Sequence, residues 1–166
     1  IDQAVIDTCR EHLPTVSSGA FDDPRVKVHV ADAFGFVEAA TSAYDLIILD
    51  STDTYEDEVG ELSEALFTSA FYKDCARALA PGGYAVTQAD NPVFCAYSLE
   101  EIRRQFATAF PCTGSYLGLV PSFGGYSAFF YGSSSKPLRP TWDASWTESS
   151  YLTAATYNLA LSGLTF

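Results

Sequence analysis

The chain has 166 residues, 48% of them hydrophobic and 14% aromatic. That is enough apolar material to bury the core of one ordinary domain, which excludes general disorder. Nine basic residues against 21 acidic ones leave a net charge of −12 at pH 7. This balance argues against binding to a nucleic-acid backbone and suits a solvated surface or a cationic partner, and without a run of about 18 apolar residues no membrane span is expected.

In chain order, residues 2–13 place Val5, Ile6, Cys9 and Leu13 on one helical face, and Pro14 ends the run. A polar loop, Thr15–Pro24, leads to Arg25–Ala31, where Val26, Val28 and Val30 alternate with Lys27 and His29. That alternation predicts a strand in which His29 is an ordinary residue. Asp32–Thr41 reads as a short helix. Tyr44–Asp50 is a continuous apolar run ending in a carboxylate, the habit of a strand covered on both faces. Glu64–Leu79 carries Leu66, Phe67, Phe71, Cys75 and Leu79 at helical spacing, and Ala80-Pro81-Gly82-Gly83 is expected to stop it before a strand over Tyr84–Gln88. Ser98–Phe110 is amphipathic and reads as a helix. Tyr116–Val120 and Tyr126–Tyr131 read as antiparallel strands joined by Pro121–Gly125. Ser133–Trp146 reads as a surface crossing, and Ser149–Phe166 as a last helix interrupted at Ser162-Gly163. The expected fold is α/β, a mostly parallel sheet with a terminal antiparallel hairpin, as in methyltransferase-like Rossmann folds. The domain expectation is a catalytic unit over residues 1–133 with an extension, 134–166, packed on it.

The chain lacks methionine, opens on Ile1-Asp2 inside a helix start and closes on Leu164-Thr165-Phe166 without a stop signal, so both ends read as cut. Cys9, Cys75, Cys95 and Cys112 include no CxxC pair, and His12 and His29 are the sole histidines. Reduced, mostly buried thiols are expected, with neither a zinc cluster nor a disulfide framework.

Ligands of open α/β sheets bind at the carboxyl ends of strands. Three such ends carry acidic or amide side chains: Ala31-Asp32-Ala33, Leu49-Asp50-Ser51-Thr52-Asp53 and Thr87-Gln88-Ala89-Asp90. A lone Asp after a strand is commonly a helix N-cap, but three successive ends together predict one acidic cleft. From Asp50 to Glu64 the carboxylates are Asp50, Asp53, Glu56, Asp57, Glu58, Glu61 and Glu64. Such a run is usually a solvated loop; beside a cleft it would also draw in cations.

On these residues the chain resembles the catalytic domain of spermidine synthase and related polyamine aminopropyltransferases. The resemblance is carried by Ile1-Asp2-Gln3-Ala4-Val5, FDDPRVKVHVADAFGFV (Phe21–Val37), YDLIILDSTD (Tyr44–Asp53), LFTSAFYKDCARALAPGG (Leu66–Gly83) and VPSFGGYSAFFYGSS (Val120–Ser134). It implies transfer of an aminopropyl group from decarboxylated S-adenosylmethionine, a co-substrate, to putrescine or a similar polyamine, with methylthioadenosine released and no further cofactor. It also implies a cytoplasmic homodimer or larger oligomer with neither nucleic acid nor membrane as partner. By the same resemblance Asp50 is the general base, and Asp32, followed by Ala33, accepts from the adenine amino group. Ser51 and Asp53 frame the amine and the aminopropyl chain, while Gln88 and Asp90 hold the far ammonium.

The sequence departs from the family pattern at four places. Its glycine-rich nucleoside loop and N-terminal β-rich segment would precede Ile1, so residues 1–166 alone are expected to show negligible transfer. Thr54 and a longer acidic insert through Glu64 replace a Pro and a short gate loop. Ala33 stands where Gly is common, and in the Val120–Tyr126 loop the usual substrate-contacting Tyr is either replaced by Phe123, which removes a hydroxyl hydrogen bond to the amine, or lost by a one-residue shortening. Two other readings remain: a catalytically inactive relative serving as a structural or regulatory subunit, and a methyltransferase using the same nucleoside pocket.

Overall fold

A computed structural model describes residues 2–51, 67–135 and 141–162. The chain divides into two compact units, Ile1–Ala39 and Ala40–Phe166.

In the first unit, α1 (Gln3–His12) starts where the Asp2 carboxylate accepts from the amide of Ala4 at 2.8 Å. Pro14 does end α1, but it also opens the short α2 (Pro14–Ser17), where its fixed φ and missing N–H cost nothing. A 3₁₀ turn, Ala20–Asp22, follows; the Arg10 guanidinium lies over the Phe21 ring and donates to the Phe21 carbonyl. The strand expected at Arg25–Ala31 does not form: residues 26–30 take part in no ladder among the described residues, and Val26, Val28 and Val30 are exposed. Alternation encodes an extended backbone with two unlike faces, but only a partner's carbonyls and amides make it a strand. The helix expected at Asp32–Thr41 is α3 (Ala33–Glu38).

The second unit is built on a sheet of four strands, β1 (Tyr44–Leu49), β2 (Leu79–Gln88), β3 (Cys112–Val120) and β4 (Gly125–Ser133), in the order β1-β2-β4-β3. β1 and β2 are parallel, and β4 is antiparallel to both β2 and β3, so the parallel start and the terminal hairpin stand as expected. The parallel pair requires a crossover; its described part is α4 (Ser69–Ala78), whose N-terminus is capped by Thr68. The expected residues of this helix before Phe67 lie outside the described residues. Ala80-Pro81-Gly82-Gly83 does not stop the helix, which ends earlier at Ala78; the four residues form a bulge inside β2. Register jumps there from Tyr44 opposite Leu79 to Leu46 opposite Tyr84. Pro81 has no ladder donor to lose, and Gly82 takes φ 83°.

One face of the sheet is covered by α4 and by α5 (Ala96–Ala107). Phe71, Tyr72 and Cys75 from α4 meet Leu99, Ile102 and Phe106 from α5 over Ala85, Thr87 and Phe130, all of them buried. The Tyr72 and Phe106 rings meet edge to face at 5.0 Å. At the β3 edge, α6 (Ala154–Leu161) contacts the strand, and the Tyr151 hydroxyl accepts from the amide of Leu119 at 3.0 Å, occupying an edge donor. The tail expected as a surface crossing is tied to α6 by the rings of Trp142, Trp146 and Tyr157. All four cysteines are free; Cys75 is buried, whereas Cys9, Cys95 and Cys112 are half-buried rather than mostly buried as expected. Among the described residues no helix is long and apolar enough to cross a membrane.

Candidate active site

The carboxyl ends of β1 and β2 lie side by side because the strands are parallel, with Leu49 opposite Thr87. Neighbouring strands stand about 4.8 Å apart, so Asp50, the first residue beyond β1, comes level with Gln88. A hydrogen bond fixes this junction: the Gln88 side-chain amide donates to the Ser51 carbonyl at 3.1 Å. β1 ends at Leu49, immediately before Asp50. Asp53 itself, with Thr54, Glu56, Asp57, Glu58, Glu61 and Glu64, lies outside the described residues.

Beyond β2 the chain turns sharply. Asp90 has φ 73°, a left-handed conformation that Asp tolerates better than most residues but that still costs energy. Two backbone bonds hold it there. The amide of Asp90 donates to Gln88 Oε1 at 3.2 Å, and the Asp90 carbonyl accepts from the amide of Ala128 on β4 at 2.8 Å. The Asp90 carboxylate accepts from the amide of Asn91 at 2.7 Å and from the Ser98 hydroxyl at 3.4 Å. It is half-buried and retains lone pairs for a further donor, while Asp50 is exposed to solvent. Two carboxylates thus flank Gln88 on adjacent strand ends. The first is exposed to solvent, and the second is oriented by the Asn91 amide and the Ser98 hydroxyl.

Phe123 joins this region through a residue the sequence reading passed over. Asn91 is buried, 7% exposed, and its side-chain amide donates to the Phe123 carbonyl at 3.2 Å. Its Oδ1 accepts from the amides of Val93 and Phe94. The signal available in the sequence was Asn91-Pro92, a turn dipeptide directly after an acidic strand end. The Phe123 side chain is largely exposed, at 62%.

Asp32 and Ala33 belong to the first unit. Asp32 is the N-cap of α3, its carboxylate accepting from the amide of Phe34 at 3.0 Å, and Ala33 is the first helical residue; both are exposed. The common capping role of an Asp after an extended segment is therefore filled here, and one carboxylate oxygen is left over. Asp50, Ser51, Gln88, Asp90 and, through Asn91, Phe123 are brought together within the second unit.

Residues 1–141 match the family model described as the spermine/spermidine synthase domain. The chain is 39% identical over 143 residues to a polyamine aminopropyltransferase of Sodalis glossinidius and 40% identical over 143 residues to polyamine aminopropyltransferase 1 of Pseudomonas aeruginosa. Each alignment covers 84% of this chain and 47% of the relative, so the chain spans about half the length of the curated relatives it matches. Among solved structures it resembles a spermidine synthase in complex with the transition-state analogue AdoDATO, with a TM-score of 0.85, 26% identity, and coverage of 99% of this chain and 56% of that one. The Thermotoga maritima spermidine synthase superposes with a TM-score of 0.81 at 26% identity, covering 97% of this chain and 54% of the other. The sheet order and strand-end carboxylates thus sit in a Rossmann-like domain matched by sequence over most of its length, and the chain belongs to the spermine/spermidine synthase family.

Proposed function

We propose that the protein transfers an aminopropyl group from decarboxylated S-adenosylmethionine to putrescine or a similar diamine, with residues 1–133 as the catalytic domain and 134–166 as an extension packed on it. The observation that carries this reading is the pairing of Asp50 with Asp90 on adjacent parallel strand ends, joined by Gln88, in a chain of this family. An alkylammonium with a pKa near ~10 is about 0.1% neutral at pH 7, and only the neutral nitrogen attacks carbon. Those roughly three pKa units correspond to about 4 kcal/mol that a positioned base helps recover. Asp50 takes the proton. The freed lone pair attacks the methylene carbon next to the sulfonium, the C–S bond breaks with its electrons going to sulfur, and neutral methylthioadenosine leaves. A carboxylate base suits this step because it adds no positive charge beside a sulfonium.

Asp90, oriented by Asn91 and Ser98, takes the far ammonium of the diamine, and Ser51 with Asp53 frames the near end. Asp32, with Ala33 beside it, takes the adenine amino group. Gln88 serves the far ammonium chiefly by holding the Asp90 turn, since both ends of its amide already have partners. The fitting measurement is aminopropyl transfer to putrescine by the full-length protein. Asp50→Asn is expected to lower kcat by about 10²–10⁴-fold with methylthioadenosine binding retained. Full activity in that variant would remove Asp50 as the base.

A second reading, a catalytically silent structural or regulatory member of the family, is favoured by Phe123, which brings no hydroxyl to the amine. It predicts that the unaltered protein binds methylthioadenosine and putrescine yet forms no spermidine.

A further inference from the structure

Three segments lie at the carboxyl end of the sheet: Asp50-Ser51 directly after β1, the turn after β2, and the 3₁₀ turn Pro121–Phe123 between β3 and β4. The first two are tied by Gln88. The third joins β3 and β4, which pair with each other along their whole length, so the hairpin ladder sets the turn's base but not the lean of its tip. The tip closes on itself: the amide of Gly124 donates to the Pro121 carbonyl at 3.2 Å, with Gly124 at φ 76°. The Phe123 carbonyl is left to look outward from this turn, and it accepts from Asn91 across 32 residues of sequence.

Asn91 is well built to hold that carbonyl. Its side chain is buried and bonded at both ends, with both lone pairs of Oδ1 used and Nδ2 donating to Phe123. Oδ1 is pinned by Val93 at 2.8 Å and Phe94 at 3.2 Å, its own carbonyl accepts from Cys95, and the amide of Asn91 is held by Asp90. Fixing the oxygen fixes the direction of the nitrogen, so the bond to Phe123 is made without further loss of side-chain freedom. Phe94 also lies close to Gly124, where an added Cβ would meet its ring at 3.5 Å, so packing and hydrogen bond act on the same turn.

We propose that Asn91 is a positioning residue: it clamps the Phe123 turn to the Asp90 turn and so sets how firmly the acceptor amine is held. This rests on the aminopropyl-transfer reading given above. Asn91 does not touch the reacting atoms. Its effect is to fix one wall of the acceptor end relative to the Asp90 carboxylate, two residues carried on elements far apart in the chain.

The test compares the unaltered full-length protein with Asn91→Ala and Asn91→Asp. Asn91→Asp keeps the oxygen that accepts from Val93 and Phe94, so the turn after β2 is retained, but it has no N–H for Phe123 and sets an oxygen against that carbonyl. Both variants are expected to speed hydrogen–deuterium exchange at the amides of 122–126 and to raise KM for putrescine about tenfold, with kcat and the nucleoside KM within about twofold. The added negative charge of Asn91→Asp would by itself lower KM for a cation, so a rise carries the sign of the lost clamp. Unchanged exchange at 122–126 in Asn91→Asp overturns the inference, as does faster exchange with an unchanged putrescine KM. An unaltered protein that transfers nothing overturns the functional reading instead, and the exchange comparison then decides the clamp by itself.

Discussion

Asp90 combines a strained backbone with a charge the proposed chemistry needs, so its geometry and its charge can be tested apart. Asn shares the tolerance of Asp for positive φ and can accept from the amide of Asn91, so Asp90→Asn leaves the turn intact and removes only the charge. The expected outcome is a melting temperature within about 2 °C of the parent and a putrescine KM raised by about tenfold or more, read by calorimetry and steady-state kinetics. Cys75 makes a second test at this scale. Burial pushes its thiol up from 9.0 to about 12, and burial likewise raises the Tyr72 phenol. The unfolded chain releases the Cys75 proton near pH 9 while the folded chain keeps it, so this stability is fully present below pH 9 and is lost as pH rises toward about 12. Denaturant titrations between pH 9 and 11 should show stability falling more steeply in the parent than in Cys75→Ala, by up to one proton, about 1.4 kcal/mol per pH unit. Equal slopes would place the thiol in contact with water. At this scale the sequence was legible for placement: a carboxylate after an apolar strand reads directly, and Asp50 and Asp90 both stand just beyond strand ends. Asn91 was not legible, because its importance comes from the Phe123 carbonyl, 32 residues away.

Among the elements, α3 is shorter and α4 and α6 start later than expected, and α2 forms where a loop was expected. α1 and α5 came through with small shifts of boundary, since apolar spacing and caps are local. Thr68, for instance, caps α4 by accepting from the amide of Phe71. The strands did less well. Residues 26–30 alternate as a strand should and pair with nothing among the described residues, whereas Ala80-Pro81-Gly82-Gly83, full of helix and strand breakers, lies inside β2. Pairing is a property of two segments, and a bulge is tolerated when its partner strand and the helix beneath it accept the detour. The contact of β4 with α5 gives the clearest test of an element joint. A Cβ at Gly132 would lie 2.7 Å from Phe110 Cβ, and both Phe110 and Phe106 are fully buried. Gly132→Ala should therefore destabilise the protein by about 1–3 kcal/mol by lifting α5 off the sheet, seen as a lower urea midpoint. An unchanged midpoint would mean that α5 can shift freely on β4.

Over these 166 residues the net charge of −12 is a property of the surface rather than of the fold, and under the proposed function it would draw in the cationic acceptor. A cationic diamine approaching a negative protein is drawn in from within about a Debye length, roughly 10 Å at 0.1 M salt. kcat/KM for putrescine is therefore expected to fall several-fold between 50 and 500 mM salt, chiefly through KM, with stopped assays across the salt series as the check. A flat salt profile would assign the charge to solubility alone. Composition, apolar runs and strand-end carboxylates by themselves determined an α/β chain with acidic side chains at its strand ends, because periodicity and charge are written residue by residue. Only the tertiary structure decided that β4 lies between β2 and β3, that Gln88 spans two strand ends, and that Asn91 ties the Phe123 turn to Asp90. Those outcomes depend on which backbone groups meet across long separations, and a hydrogen bond between distant residues leaves no mark in the order of either.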